Sequence, residues 1–131
     1  MKVGIESGNN RILRMMRKGI MVNGIKRSIR QIKRANIPIT AYVMIGLPTE
    51  TKDEMLDTLR LCKELDPNWV SLSVATPWYG TDMYNYVTQT LGVVINDDLL
   101  FHQSASSFNK NVTPDLVSKF MDLNDGKHRE K

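Results

Sequence analysis

The chain has a single cysteine, Cys62, in 131 residues, which excludes an internal disulfide and an all-cysteine metal site built from one copy. Histidine is nearly as scarce: His102 and His128 have no partners at ligand spacing. No apolar run approaches the roughly 18 residues that a membrane-spanning helix requires, so no span is expected. The first residues, Met1-Lys2-Val3-Gly4, lack a basic segment leading into an apolar stretch, and a cytoplasmic location is expected. Neither G-x-x-x-x-G-K-[ST] nor G-x-G-x-x-G occurs, which argues against a nucleoside triphosphatase and a standard dinucleotide fold. Acidic residues are missing from one end only. Residues 1–36 carry ten Lys or Arg against Glu6 alone, whereas 37–131 carry eight basic and thirteen acidic residues. Half of that basic excess, Lys26, Arg27, Arg30, Lys33 and Arg34, lies on one helical segment. Such a face suits plain solvation or an anionic partner such as RNA.

What is present is alternation. Residues 39–50 read I-T-A-Y-V-M-I-G-L-P-T-E, a strand running through a glycine into a Pro-Thr-Glu loop. Ile39, Ala41, Val43 and Ile45 fall on one face, and Thr40, Tyr42, Met44 and Gly46 on the other. Thr51-x-x-Glu54 is a capping box that opens a helix over 51–66, with Cys62 on its apolar stripe as a buried structural thiol. Two further units follow the same plan. A strand at 2–6 leads through Ser7-Gly8-Asn9-Asn10 into a short helix over 11–18 ended by Gly19, then a second helix over 23–36. A strand at 69–76 leads through Pro77-Trp78-Tyr79-Gly80 into a helix from Thr81 toward Leu91. Beyond Gly92 the pattern weakens: a short strand at 93–95, a turn of helix at 97–102 and an ordered loop at 103–111 are expected. Thr113-Pro114 then opens a last helix through about 123, before a polar tail.

This order implies an α/β fold of parallel βα units. Each strand is aliphatic on one face only: Val3 and Ile5, then Ala41, Val43 and Ile45, then Val70, Leu72 and Val74. A doubly wound sheet needs apolar residues on both faces. The opposite face here carries Gly4, Glu6, Tyr42, Met44, Ser71 and Ser73, which fits the lining of a barrel or half-barrel. Three strands cannot close a barrel. Residues 1–91 are therefore expected to be the second half of one, and 92–131 a C-terminal extension. The isolated chain is expected to pair with a missing N-terminal half or with itself.

The motifs Gly4-Ile5-Glu6-Ser7-Gly8-Asn9, Ile12-Leu13, Lys18, Gly46-Leu47-Pro48-Thr49-Glu50-Thr51 and Pro77-Trp78-Tyr79-Gly80-Thr81 occur in that order. Together they resemble the C-terminal half of the radical S-adenosylmethionine (SAM) domain over about residues 1–90. The look is closest to members with a cobalamin-binding domain, of the magnesium-protoporphyrin ester oxidative cyclase type. The resemblance implies a partial TIM-type (βα)6 barrel and reductive cleavage of SAM by a [4Fe–4S] cluster. The cluster ligands of the family, a C-x-x-x-C-x-x-C loop, do not occur in this chain. The resemblance also implies cofactor-binding positions. Glu6, with Ser7 beside it, would take the ammonium of SAM, Lys18 its carboxylate, and Tyr42 and Met44 would flank the nucleoside. Tyr42 stands where several relatives carry an acidic residue that binds the ribose.

Two functions stand side by side at this stage. One is a piece of a radical SAM enzyme acting on a small-molecule substrate, with SAM, a cluster held elsewhere and cobalamin in a longer parent. The other is a non-catalytic binding module, for RNA through the basic helix at 26–34, or an inactive truncated fragment. Glu6 also suits a plain structural ion pair, and Lys18 a cation at a helix C-terminus.

Overall fold

The computed structural model describes residues 1–96 and 107–127. The expectations for 97–102, for 103–106, for His102 and for His128 with the last residues of the tail lie outside the described residues. Three strands, β1 (Lys2–Glu6), β2 (Thr40–Ile45) and β3 (Trp69–Val74), form one parallel sheet in the order β1-β2-β3. Between them run α1 (Asn10–Met15), α2 (Val22–Arg34) and α3 (Lys52–Leu65). After β3 come α4 (Asp82–Asn85), a π-helical turn (Tyr86–Thr90), α5 (Pro114–Met121) and a 3-10 turn (Asp122–Asn124). The result is the expected α/β arrangement of parallel βα units, compatible with part of a barrel.

β2 alternates in burial as expected, whereas in β3 only Val70 is buried and Leu72 and Val74 are half buried like Ser71 and Ser73. Ile5, Ala41, Val43, Ile45 and Val70 are buried in one cluster with Ile25 and Ile29 of α2, Met55, Leu59 and Leu65 of α3, and Leu116 and Phe120 of α5. Tyr42, Met44, Ser71 and Ser73, on the other face, are only half buried. Burying a large aliphatic side chain contributes roughly 1.5–3 kcal/mol, so the covered face dominates the stability of the sheet. Cys62 belongs to this core at 2% exposure, and burial pushes its thiol up to about 12. It is a packing residue rather than a nucleophile or ligand.

Local signals place the helices. The capping box forms as expected: Glu54 N donates to the Thr51 hydroxyl at 3.3 Å, and Thr51 N to the Glu54 carboxylate at 2.8 Å. Asn9 caps α1, its side-chain oxygen accepting from Arg11 N and Ile12 N. Thr113 caps α5, with Pro114 in its first turn. The outer edge of β3 is closed by Asn124, whose side chain accepts from Val70 N and donates to Val70 O, both at 2.8 Å. One amide thereby stands in for a strand neighbour.

Three expectations are corrected. The first helix ends at Met15 rather than near Lys18, because Arg17 adopts φ 54° and closes it. Arg17 N then donates to Arg14 O, and Lys18 N to Leu13 O, the bond pattern that glycine usually supports. The helix after Thr81 is α-helical for one turn only and widens into the π turn. Residues 93–95 form no strand; Val93 N instead donates to Val87 O at 3.1 Å.

Gly8 is where the first unit meets the second. A Cβ there would lie 2.4 Å from Asp57 O and 2.7 Å from Thr58 Cα, both backbone atoms of α3. Backbone cannot move aside as a side-chain tip can. Gly8→Ala is therefore expected to lower stability by about 2–3 kcal/mol, read from thermal or denaturant melts. Gly80→Ala, with nothing within 4 Å of its Cβ position, serves as a control in which only the φ of 80° opposes the methyl.

Candidate functional site

The C-terminal ends of parallel strands are where α/β proteins gather ligand groups. At the end of β1 the ladder slips, with Gly4 opposite Tyr42 but Glu6 opposite Val43. Glu6 itself adopts φ 66°, an uncommon conformation for a side-chain-bearing residue. The bulge swings its carboxylate over Gly4, where Lys18 Nζ meets Oε1 at 3.1 Å. A Cβ on Gly4 would lie 2.7 Å from Glu6 Oε1 and 3.2 Å from Lys18 Nζ, so the glycine makes room for the pair. The two side chains remain 21% and 34% exposed, and as a surface pair they contribute little to stability.

Met44 carries the site onward. It lines a cavity of about 510 Å³ with Met15, Met16 and Met83, closed by Leu47, Pro48 and Tyr86. Thioethers are polarizable and conformationally adaptable, which suits a flat or irregular apolar ligand. Tyr42 lies beside Gly4 on the same half-open face. Ser7 is not with them. It is fully buried, its hydroxyl 3.3 Å from the Thr58 hydroxyl and accepting from Asn9 N, so it shapes the β1–α1 turn. Of the five expected positions, Glu6 ends β1 with Lys18 against it, Met44 lines the cavity, Tyr42 sits mid-strand in β2 opposite Gly4, and Ser7 packs against α3.

The loop after β2 forms one wall of the cavity, and its anchoring was not foreseen. Glu50 is 1% exposed, and its Oε2 accepts from Leu47 N at 3.0 Å. Its Oε1 is buried without a partner, and burial pushes the carboxyl up to about 7. Asn109 donates to Leu47 O at 2.8 Å and to Glu50 O at 2.9 Å, and Asn111 donates to Glu50 O at 3.2 Å. Asn111, which also begins a glycosylation sequon, is thus a structural clamp. Thr49 adopts φ 64° and is held by Arg11, which donates to its hydroxyl at 3.1 Å and to its carbonyl at 3.0 Å. Arg11 also grips Glu54 with two nitrogens, at 2.5 and 2.6 Å, holding that carboxyl down to about 2. The only sequence signal was a carboxylate three residues beyond Leu47, which does not disclose burial.

Among the described residues no group of His, Cys, Asp or Glu is placed to hold a metal ion. Cys62, buried with a raised thiol pKa, does not fit as an iron–sulfur ligand. The Glu6–Lys18 pair presents one charge of each sign, and the methionine-lined cavity falls within the usual range of roughly 300–1,000 Å³ for a ligand pocket.

Residues 1–62 match the model of the radical SAM superfamily. The matched segment includes β1, α1, α2, β2 and most of α3, with the Glu6–Lys18 pair and Met44. An uncharacterized methyltransferase of Pyrococcus horikoshii is 32% identical over 83 residues, 63% of this chain and 18% of that protein. A tRNA-2-methylthio-N(6)-dimethylallyladenosine synthase of Ruthia magnifica is 40% identical over 63 residues, 47% of this chain and 14% of the relative. A probable threonylcarbamoyladenosine tRNA methylthiotransferase of Methanocaldococcus jannaschii is 29% identical over 68 residues, 50% of this chain and 16% of the relative. The chain thus spans less than a fifth of the length of these relatives. No helix among the described residues is long and apolar enough to cross a membrane.

Glu50 and Glu54, the shifted carboxyls beside the cavity wall, act in separate pH windows. Glu50 is raised from an ordinary 4.5 to about 7, so the folded state binds its proton more tightly than the unfolded state. Stability should therefore fall as pH rises from about 4.5 to 7. Glu54 is lowered from 4.5 to about 2, so its contribution is lost as pH falls from 4.5 toward 2. Melting temperatures are expected to peak near pH 4.5–5, Glu50→Gln to flatten the upper arm and Glu54→Gln the lower.

Proposed function

We propose that this chain supplies part of the SAM pocket and substrate cavity of a radical SAM enzyme. The reading is supported by a half-open Glu6–Lys18 ion pair where β1 ends and by an apolar cavity walled by four methionines, one of them Met44 of the neighbouring β2. In this reading Lys18 takes the carboxylate of the methionyl end of SAM and Glu6 its ammonium. Met44 and its neighbours flank the adenine, with Tyr42 beside them. SAM, when bound, supplies the reactive group. The residues here bind it, orient it and exclude water.

The [4Fe–4S] cluster of the family finds no ligands in this sequence, and we place it in a longer parent, in the preceding half of a (βα)6 barrel. That half, or a second copy of the chain, is the partner proposed for the uncovered sheet face. The names of the relatives carry no reference to cobalamin, and the proposal does not require it.

The test is calorimetric titration of SAM into the 131-residue chain and two variants. A buried charge-assisted contact contributes roughly 1.5–3 kcal/mol, so Lys18→Ala should weaken binding about ten- to a hundredfold. Glu6→Gln should cost a similar factor, with both variants melting close to wild type because a partly exposed ion pair contributes little to stability. Wild-type affinity in both, or lost stability with unchanged affinity, would make the pair a structural contact and overturn the assignment.

A second reading rests on α2, where Arg27, Arg30, Lys33 and Arg34 are all exposed. The curated relatives named as tRNA methylthiotransferases make RNA the natural anionic partner for that face. Binding of a tRNA should then weaken steeply with salt, and Arg27→Ala with Arg30→Ala should reduce the slope of log affinity against log salt by roughly one to two. An unchanged slope would remove α2 from any RNA interface.

A further inference from the structure

The function proposed above uses the strand ends and the methionine-lined cavity, but leaves unexplained why a carboxyl group is buried beneath the cavity wall. Glu50 is the only buried charged residue among the described residues, and its Oε1 has neither a partner nor contact with solvent. A lone buried carboxylate oxygen is costly, and proteins keep one only when it serves a purpose or stays neutral. The surroundings say what it holds. Its other oxygen takes the amide of Leu47, the first residue of the wall segment Leu47-Pro48-Thr49. The carbonyls of Leu47 and Glu50, at either end of that segment, take the side chains of Asn109 and Asn111 from the loop before α5. That loop lies against Gly46 itself, where a Cβ would meet Val112 Cγ2 at 2.8 Å and Ser107 Oγ at 3.2 Å. The carboxyl, the wall and the loop are one packed unit.

We propose that Glu50 is a positioning residue whose protonation latches the Asn109–Asn111 loop onto the Leu47–Thr49 wall of the cavity. With Glu50 neutral, the closed arrangement buries no net charge and the wall is fixed. Once ionised, Oε1 demands a donor that the closed arrangement does not offer. Lifting the loop admits water to it and frees the wall. The charged groups around Glu50 set the balance without supplying that donor. Arg11, on α1, is committed to Glu54 and Thr49. Glu54, on α3, repels the carboxylate, and Lys110 lies on the small cavity of about 210 Å³ shared by Glu50 and the loop.

The direction follows from linkage. The carboxyl titrates near 7 when enclosed and near 4.5 when solvated, so raising the pH across that interval favours the lifted loop. The equilibrium shifts by on the order of a hundredfold. The proposal deepens the SAM-pocket reading, because the latched wall is a wall of that pocket, but it can be tested without SAM.

In the 131-residue chain labelled with ¹⁵N and with ¹³C methionine methyls, spectra are collected between pH 5 and 8.5. The expected result is a common transition near pH 7 in the Leu47 amide, the side-chain amides of Asn109 and Asn111, and the methyls of Met44 and Met83. Glu50→Gln should abolish it. Asn109→Ala, which opens the enclosure without touching the carboxyl, should move the midpoint toward 4.5, and it serves alone if Glu50→Gln does not fold. A transition that leaves the Asn side chains still, a wild-type midpoint near 4.5, or an unmoved midpoint in Asn109→Ala would overturn the latch. SAM titrated into the same samples separates the two claims. Affinity falling above the transition in wild type but not in Glu50→Gln supports both. A clear transition with no SAM binding at any pH upholds the latch and rejects the SAM pocket.

Discussion

The close approach of Gly8 to the backbone of Asp57 and Thr58 fixes where the first βα unit stands relative to the second. From that contact the other links follow. Gly8 N donates to the Thr58 hydroxyl at 2.9 Å, and the Asn9 side chain donates to Asp57 at 2.9 Å while capping α1. The cap sets the direction of α1, which carries Arg11 to Thr49 and Glu54 and brings Met15 and Met16 to the cavity. The Glu6–Lys18 pair is strung between the end of β1 and the residue that follows Arg17, which closes α1. Displacing the turn by an ångström would therefore separate the charged end of the site from its apolar end.

Much of the fold was legible because its determinants are local. Alternation in 39–46 and 69–74 specifies both a strand and its covered face, and the Thr51–Glu54 spacing specifies a helix start. The position of Cys62 on the stripe of α3 was enough to mark it as buried. What was not legible depended on tertiary partners. The early end of α1 rests on Arg17 accepting a left-handed backbone where glycine would be the ordinary choice, and sequence pattern had pointed to Gly19 instead. Residues 93–95 look strand-like because Val93, Val94 and Ile95 are β-branched, but no strand edge is offered to them.

The site divides in the same way. Alternation put Glu6, Tyr42 and Met44 on the half-open strand face, and only the resemblance singled out Lys18, whereas the bulge that turns Glu6 over Gly4 was not legible. Ser7 follows Glu6 in sequence but faces α3, because the bulge and the turn separate the two side chains. Glu50 was invisible as a buried group, since a carboxylate in a Pro-Thr-Glu loop reads as solvated until something covers it. The covering comes from Asn109 and Asn111, some sixty residues further on, and no local pattern announces a contact at that range.

The cavity wall has a chemical character that its shape does not convey. Four of its side chains end in thioethers, and Met15 is 38% exposed. A peroxide reaching Met15 would convert it to a sulfoxide, a bulkier and polar group at the rim of an apolar chamber. Aliphatic side chains such as leucine would have given the same hydrophobicity without that liability. A surface made of Met15, Met16, Met44 and Met83 is instead soft and repackable, yet open to oxidative ageing, and the conversion is reversible by sulfoxide reductases. The chamber's grip on an apolar group would then record the oxidant history of the cell.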